Sequence, residues 1–134
     1  MANITDFLAY LHGLVRWLIL SLAVVGAARS FVSMLTVSAK FARLDIGLSN
    51  AYSGLLDLQG FIGLLLVATA FAIKADVPWI HPLIMIPAIV IGHLNRRFAA
   101  RPDRARHQLQ LGIYAGSLTL VAIGLAVINQ LYLP

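Results

Sequence analysis

Four long apolar runs limit what this chain can fold into. They cover residues 7–28, 48–73, 79–95 and 108–131, and most of the charged residues lie between them. About 20 apolar residues are needed for a helix to cross the hydrocarbon core of a bilayer. Backbone polar groups in lipid must be satisfied within the segment, and nothing here shows the alternation of a membrane barrel. The sequence therefore predicts an all-α, integral membrane four-helix bundle, with residues 1–134 as a single domain.

Composition agrees with that fold class and narrows the chemistry. Of the 134 residues, 60% are hydrophobic and 11% are charged, which is more apolar surface than a soluble domain of this size can bury. There is no cysteine, which excludes disulfides, thiolate metal sites, iron–sulfur clusters and covalently attached c-type haem. The N-terminal segment lacks the basic region of a signal peptide, so the first apolar run is expected to stay as a membrane helix.

The basic residues predict the orientation. Two interhelical segments hold them: Arg29, Lys40 and Arg43 in the first, and Arg96, Arg97, Arg101, Arg104 and Arg106 in the second. The opposite side offers only Lys74, so both basic loops are expected to be cytoplasmic and both termini outside, in a bacterial inner membrane. The net charge of +5 is then explained by topology and by anionic membrane lipids rather than by nucleic acid.

Three histidines lie inside the apolar runs. His12 is in the first run, and His81 and His93 are in the third. Ionisable side chains at membrane depth are costly and usually functional. Both helices are expected to run inward, which puts His12 and His81 toward the outer leaflet and His93 toward the inner one. His81 and His93 are about 120° apart on an ideal helix, so they indicate two separate levels. His107 follows a basic loop and is interpreted as a solvated side chain.

Paired imidazoles from different helices are how a four-helix bundle holds haem iron. We therefore expect haem b, one or two per chain, with His12 and His81 as axial ligands and His93 as the candidate ligand of a second level. Arg16 shares a face with His12 and suits a haem propionate. Two alternatives remain: histidines that only hydrogen-bond a neighbouring carbonyl, and zinc or copper held by His12, His81 and Met85.

Asp57 lies near the middle of the second run. It belongs to a polar stripe made of Ser49, Asn50, Ser53, Asp57 and Gly60. An ionised carboxylate without a partner is expensive at this depth, so Asp57 must be neutral or paired. Two interpretations stay open. Asp57 forms a structural ion pair with Arg16, or it carries a proton or contacts a cofactor beside a quinone-like site.

Several motifs resemble a known family. They are Leu11-His12-Gly13-Leu14-Val15-Arg16-Trp17, the segment 56–64 around Asp57, and His81-Pro82-Leu83-Ile84-Met85 followed by Gly92-His93. Over nearly the whole chain, their order and spacing resemble a family of small bacterial four-helix membrane proteins, mostly uncharacterised and sometimes labelled cytochrome b-like. The resemblance implies the fold and the positions His12, Arg16, His81 and His93. Relatives often carry histidine where this chain has Asp57.

Two functions follow as expectations. The first is a b-type haem protein that passes electrons within or across the bilayer to a redox partner. The second is a non-catalytic accessory subunit of a respiratory or photosynthetic membrane complex, in which the histidines are structural or coordinate a pigment. Glycine and alanine faces also admit a homo-oligomer. No hydrolase or nucleotide-binding motif is present in the sequence.

Overall fold

The computed structural model describes residues 2–36 and 39–132, and the regular structure in this part of the chain is entirely helical. The helices are α1 (Ala2–Leu35), α2 (Arg43–Ala72), α3 (Ile80–Gly92) and α4 (Asp103–Tyr132). A 3₁₀ helix, Leu94–Phe98, follows α3. The prediction of an all-α chain with four helices is confirmed.

Three of these helices are long and apolar enough to cross a membrane. Among the described residues, the spanning segments are Ile4–Leu35, Arg43–Ala72 and Asp103–Ile128. The third predicted span, 79–95, is shorter than expected because α3 has only 13 residues. Ser53 of α2 explains this helix end: its Oγ donates a hydrogen bond of 2.8 Å to the carbonyl of Gly92, which the α-helix no longer satisfies. The chain then tightens into the 3₁₀ helix.

An ion pair joins the end of α1 to the start of α2. Arg29 donates to Asp45 through Nε (2.6 Å to Oδ1) and through an Nη (3.1 Å to Oδ2). Asp45 is 4% exposed, and its Oδ2 also accepts the backbone N–H of Ala42 at 2.9 Å. The carboxylate thereby caps α2 and closes the connection. The sequence between Ser30 and Asp45 predicts either a helical extension of the first run or an interfacial amphipathic segment, and in the structure α1 continues to Leu35.

The segment Lys74-Ala75-Asp76-Val77-Pro78 predicts a tight turn between the second and third runs, and the structure has a tight turn there. Ala75 N–H donates to the Ala70 carbonyl at 2.9 Å, and Lys74 N–H donates to the Phe71 carbonyl at 3.2 Å. This pattern is a Schellman motif, with Lys74 at φ 57° in the left-handed position that glycine usually fills. We call this the turn end of the bundle. The opposite end carries the α1–α2 and α3–α4 connections and is called the basic end.

The four helices form a ring in chain order. α1 packs against α2 and α4, and α3 packs against α4 and, less extensively, against α2. Two pairs, α1 with α3 and α2 with α4, therefore lie diagonally opposite. The core cluster consists of Val15, Ile19, Ala23, Tyr52, Leu56, Ile62 and Tyr114. Many large apolar side chains instead point outward, Phe7, Tyr10 and Trp17 among them, which is the arrangement of a bundle solvated by lipid.

Glycine sets the approach of α1 to α4 at one position. A Cβ built on Gly26 would overlap the ring of Tyr114, so these helices pack glycine against tyrosine. Tyr114 in turn meets Tyr52 edge to face, with ring centres 5.0 Å apart. The sequence predicts that Gly13 and Gly26 both allow close packing. Gly26 does so, but Gly13 faces open space.

Candidate functional site

The bundle brings His12 and His81 together, as predicted. The two imidazoles come from the diagonal helices α1 and α3, in the half of the bundle nearer the turn end. Their ring centres are 6.4 Å apart, and the ring planes are inclined at 68°. Both side chains are partly buried. The pair is therefore an interior feature that joins helices which otherwise make little contact.

Two glycines make room for this pair. A Cβ on Gly63 of α2 would lie 3.5 Å from Cε1 of His12. A Cβ on Gly124 of α4 would lie 3.4 Å from Nδ1 of His81 and would overlap Cε of Met85. Each imidazole thus faces a notch in a neighbouring helix, the arrangement that small residues permit in membrane bundles. Larger residues at these notches would push the imidazoles away.

A backbone carbonyl orients His81. Its Nδ1 lies 3.3 Å from the carbonyl oxygen of Gly124, so Nδ1–H is the donor. A neutral imidazole that donates through Nδ1 keeps a lone pair on Nε2. A hydrogen bond of this kind, from the second ring nitrogen to a carbonyl, is typical of histidines that bind metals. His81 is therefore held in a form that can act as a ligand.

Unpartnered polar atoms surround the pair. Within the described residues, Nδ1 of His12, Nε of Arg16 and Oε1 of Gln59 are buried without a hydrogen-bond partner. Arg16 lies one turn after His12, and Gln59 lies one turn before Gly63, whose notch His12 faces. Buried polar atoms without a partner call for a ligand or ordered water. Sequence reasoning missed Gln59, although its spacing of four from Gly63 puts both on one helix face.

Asp57 does not pair with Arg16, which corrects one of the two interpretations kept open above. It pairs with His93 instead, with Nε2 of His93 2.7 Å from Oδ1 of Asp57. The Asp57 and His93 side chains are 56% and 33% exposed, so the pair lies on the outside of the bundle. The physical reason is geometric: the Asp57–His93 level is nearer the basic end, whereas Arg16 lies beside His12.

The Asp57–His93 pair lines an open groove of about 590 Å³, together with Ile89, Val90, Leu94, Arg96 and Arg97. His93 therefore belongs to a level separate from His12 and His81, as predicted. The polar stripe of α2 is divided between two environments: Ser49 and Ser53 are buried, while Asn50 and Asp57 are exposed. Each step of four residues rotates about 40° around a helix, so the stripe leaves the core by Asp57.

His107 is fully buried, which makes its interpretation as a solvated histidine wrong. Phe41, from the connection between α1 and α2, covers it with ring centres 5.0 Å apart. Neither ring nitrogen of His107 has a hydrogen-bond partner within the described residues. The sequence carried no sign of this contact, because it depends on how the connection folds back over α4.

Two sets of side-chain hydrogen bonds cross the bundle. Ser49 Oγ donates to Oε1 of Gln110 at 3.1 Å, and Asn95 Nδ2 donates to Ser49. Tyr52 Oη donates to Ser117 at 2.8 Å, and Ser117 donates to the Ala88 carbonyl at 3.2 Å. These contacts were not predicted. The four-residue spacing of Asp45, Ser49 and Ser53 is the sequence feature that indicates them.

The described residues contain no group of three or more histidine, aspartate or glutamate side chains placed to hold a metal ion. A metal at the His12–His81 pair would therefore have two imidazoles from the protein and would depend on other donors. The chain matches no protein-family model, no curated protein and no solved structure. Its site is interpreted from its own geometry.

Proposed function

We propose that this chain is a membrane protein that binds one b-type haem between His12 and His81 and passes electrons. The observation that carries the proposal is the 6.4 Å between the two ring centres. A metal ion bound to two imidazoles lies roughly 2 Å from each ligating nitrogen, which puts the ring centres about 6 Å apart. Ligands from different helices of a bundle are the usual means of holding haem.

The surroundings fit this group. Gly63 and Gly124 form the notches in which the imidazoles lie, and the Gly124 carbonyl keeps Nε2 of His81 free to ligate. Arg16 forms no ion pair with any described residue, so its guanidinium suits a propionate, and Gln59 offers a second buried polar atom. When bound, haem supplies one-electron transfer between its ferric and ferrous states. The residues of this chain orient the ligands, balance charge and exclude water.

One haem is proposed rather than two. Nε2 of His93 is hydrogen-bonded to Asp57, so the inner histidine already has a partner on its ligating nitrogen. We assign the Asp57–His93 pair to proton acceptance beside a quinone-like redox partner, in the groove of about 590 Å³. The proposed orientation puts the basic end in the cytoplasm of a bacterial inner membrane and the His12–His81 level in the outer half.

A second candidate is an accessory subunit of a larger membrane complex. The hydrogen bond from His81 to Gly124 and the edge contact between the imidazoles would serve helix packing equally well without any cofactor. In that case the isolated chain is colourless and co-purifies with larger partners. The two candidates are therefore separated by the same measurement.

The test is a reduced-minus-oxidised absorption spectrum of the detergent-purified chain, expressed with ample haem and accompanied by a pyridine haemochrome assay. We expect a b-type signal of one haem per chain. His12→Ala and His81→Ala should each abolish it, because a bis-histidine site fails when either ligand is lost. His93→Ala is the matched control, and it should keep the signal because that residue lies at the other level.

Added imidazole should restore colour to a His12→Gly variant, which separates ligation from packing. Monodispersity and thermal unfolding of each variant show that the bundle is intact. A folded, colourless wild-type chain would overturn the haem proposal and favour the accessory subunit. Loss of colour in His93→Ala would instead reassign the ligands.

A further inference from the structure

A second pocket lies at the basic end, far from the His12–His81 pair and next to the Asp57–His93 groove, with which it shares Arg96. It has a volume of about 190 Å³ and lies between α2, the 3₁₀ helix and the first half of α4. Its polar lining comes from Ser49, Asn50, Asn95, Arg96, Arg106 and Gln110. Its apolar walls include Phe41, Ile46, Phe98 and Ile113. Pockets for whole drug-sized ligands begin at roughly 300 Å³, so this one suits a single polar headgroup.

Two amide side chains that line the pocket each use only one of their two polar atoms in a hydrogen bond to a described residue. Gln110 is 4% exposed, and its Oε1 is already used by Ser49, whereas its Nε2 has no partner within the described residues. Asn95 donates through Nδ2 to Ser49, and its buried Oδ1 has no partner in the part of the chain that the structure describes. Both amide side chains line the pocket, one with a spare donor atom and the other with a spare acceptor atom, each buried just behind its wall. A ligand with acceptor oxygens and a hydroxyl would satisfy both.

The charge of the pocket is positive and unbalanced. The guanidinium carbon of Arg106 lies 3.9 Å from the ring centre of Phe41, which holds this side chain in place. Within the described residues, the recorded ion pairs are Arg29–Asp45 and His93–Asp57, so neither Arg96 nor Arg106 has a carboxylate partner. Two arginines beside a spare amide donor are suited to a phosphate.

We infer that this pocket binds the phosphate of an anionic phospholipid. A lipid source is favoured over free phosphate because the walls are largely apolar and the bundle exposes apolar helix faces below the basic end, along which acyl chains can lie. Basic pockets between membrane helices on the side with the basic loops bind such headgroups. Asn95 Oδ1 and Asn50 would receive the hydroxyls of a headgroup such as glycerol.

The experiment measures lipid retention by the full chain in detergent, using native mass spectrometry. Phosphatidylglycerol, phosphatidylcholine and inorganic phosphate are added separately. We expect one phosphatidylglycerol per chain to be retained, with weaker retention of phosphatidylcholine. The variants Arg96→Gln and Arg106→Gln should each weaken phosphatidylglycerol binding about tenfold, the loss expected for a charge-assisted contact. Gln110→Leu should weaken it through loss of the amide donor.

Arg97→Gln and Arg104→Gln are matched controls, since they remove the same charge from the same segment but do not line the pocket. Both should retain phosphatidylglycerol as the wild type does. Equal losses in the pocket and control variants would overturn the inference, because they would indicate general attraction to the basic end. Displacement of bound lipid by inorganic phosphate at equal concentration would overturn the lipid source and identify free phosphate as the ligand. Thermal unfolding of each variant confirms that the bundle is folded.

Discussion

Ser117 is a single residue through which three helices are joined. Its hydroxyl accepts from Tyr52 of α2 and donates to the Ala88 carbonyl of α3, while its own backbone belongs to α4. Ser117 is fully buried, and no water is needed to complete these bonds. The bond to the Ala88 carbonyl joins α4 to α3 one residue after Pro87, the proline inside that helix.

Replacing Ser117 with alanine should lower the free energy of unfolding by about 1–2 kcal/mol, since two interhelical hydrogen bonds of membrane strength are lost. The measurement is equilibrium unfolding in mixed micelles. Thr119→Ala is the matched control, because Thr119 is exposed and bonds only the Ala115 carbonyl of its own helix. An equal cost for both substitutions would contradict the role given to Ser117.

At this scale the sequence predicts some contacts and not others. His12 and His81 could be predicted to meet, because histidines inside apolar runs are rare and helix direction fixes their depth. The partners of His81 and His93 were harder to foresee. A residue pattern does not show which backbone carbonyl a side chain will meet, so the bond from His81 to Gly124 could not be predicted. Asp57 meets His93 on the outside of the bundle because the helical twist carries the polar stripe of α2 away from the core.

At the scale of elements, α1 packs closely on α4 at one glycine. Gly26 is buried against the ring of Tyr114, and that ring packs on Tyr52. Because Gly26 has no side chain beyond a hydrogen atom, the ring of Tyr114 can lie directly against the backbone of α1. Tyr114 belongs to the core cluster, and Leu118, one turn later, packs against that cluster. The contact with Gly26 therefore fixes the position of α4 relative to α1.

Gly26→Ala should destabilise the bundle by about 1–3 kcal/mol, because an added methyl group must displace a buried aromatic ring. Gly13→Ala on the same helix should be neutral or stabilising by up to about 1 kcal/mol, since Gly13 faces open space and alanine favours the helix. Unfolding curves of the two variants provide the measurement. Similar destabilisation by both would show that α1 and α4 are not positioned by this contact.

Helix boundaries followed the sequence only where polar residues marked them. The turn at residues 74–78 was predicted, since a lysine, an aspartate and a proline interrupt the apolar pattern there. The early start of α2 and the early end of α3 were not, because each depends on a side chain from another element: Arg29 pairs with Asp45, and Ser53 holds the Gly92 carbonyl. Such caps are tertiary contacts, so they leave no periodic pattern of apolar and polar residues in the sequence.

At the scale of the whole molecule, positive charge is concentrated at one end. The connections of the basic end hold the arginines from Arg96 to Arg106, whereas the turn end holds Lys74. This asymmetry is the basis of the proposed orientation, because basic loops are retained in the cytoplasm. The phosphate pocket lies within this concentration of charge, whereas the His12–His81 pair lies nearer the turn end.

The absence of cysteine makes this orientation testable by labelling single-cysteine variants without background. In spheroplasts with a sealed inner membrane, a membrane-impermeant maleimide should label Asp76→Cys at the turn end. Asp103→Cys at the basic end should react only after the membrane is opened. The reverse pattern would show the opposite orientation, and labelling of both positions in sealed cells would contradict a spanning bundle.

The short third helix has a consequence for the lipid around it. With 13 residues, α3 rises about 20 Å, against a hydrocarbon core of roughly 30 Å. A bilayer meets such a mismatch by thinning. Beside α3 we therefore expect the lipid headgroups and their water to lie closer to the Asp57–His93 pair, which faces outward. A longer helix would place the same two ionisable side chains against the hydrocarbon core.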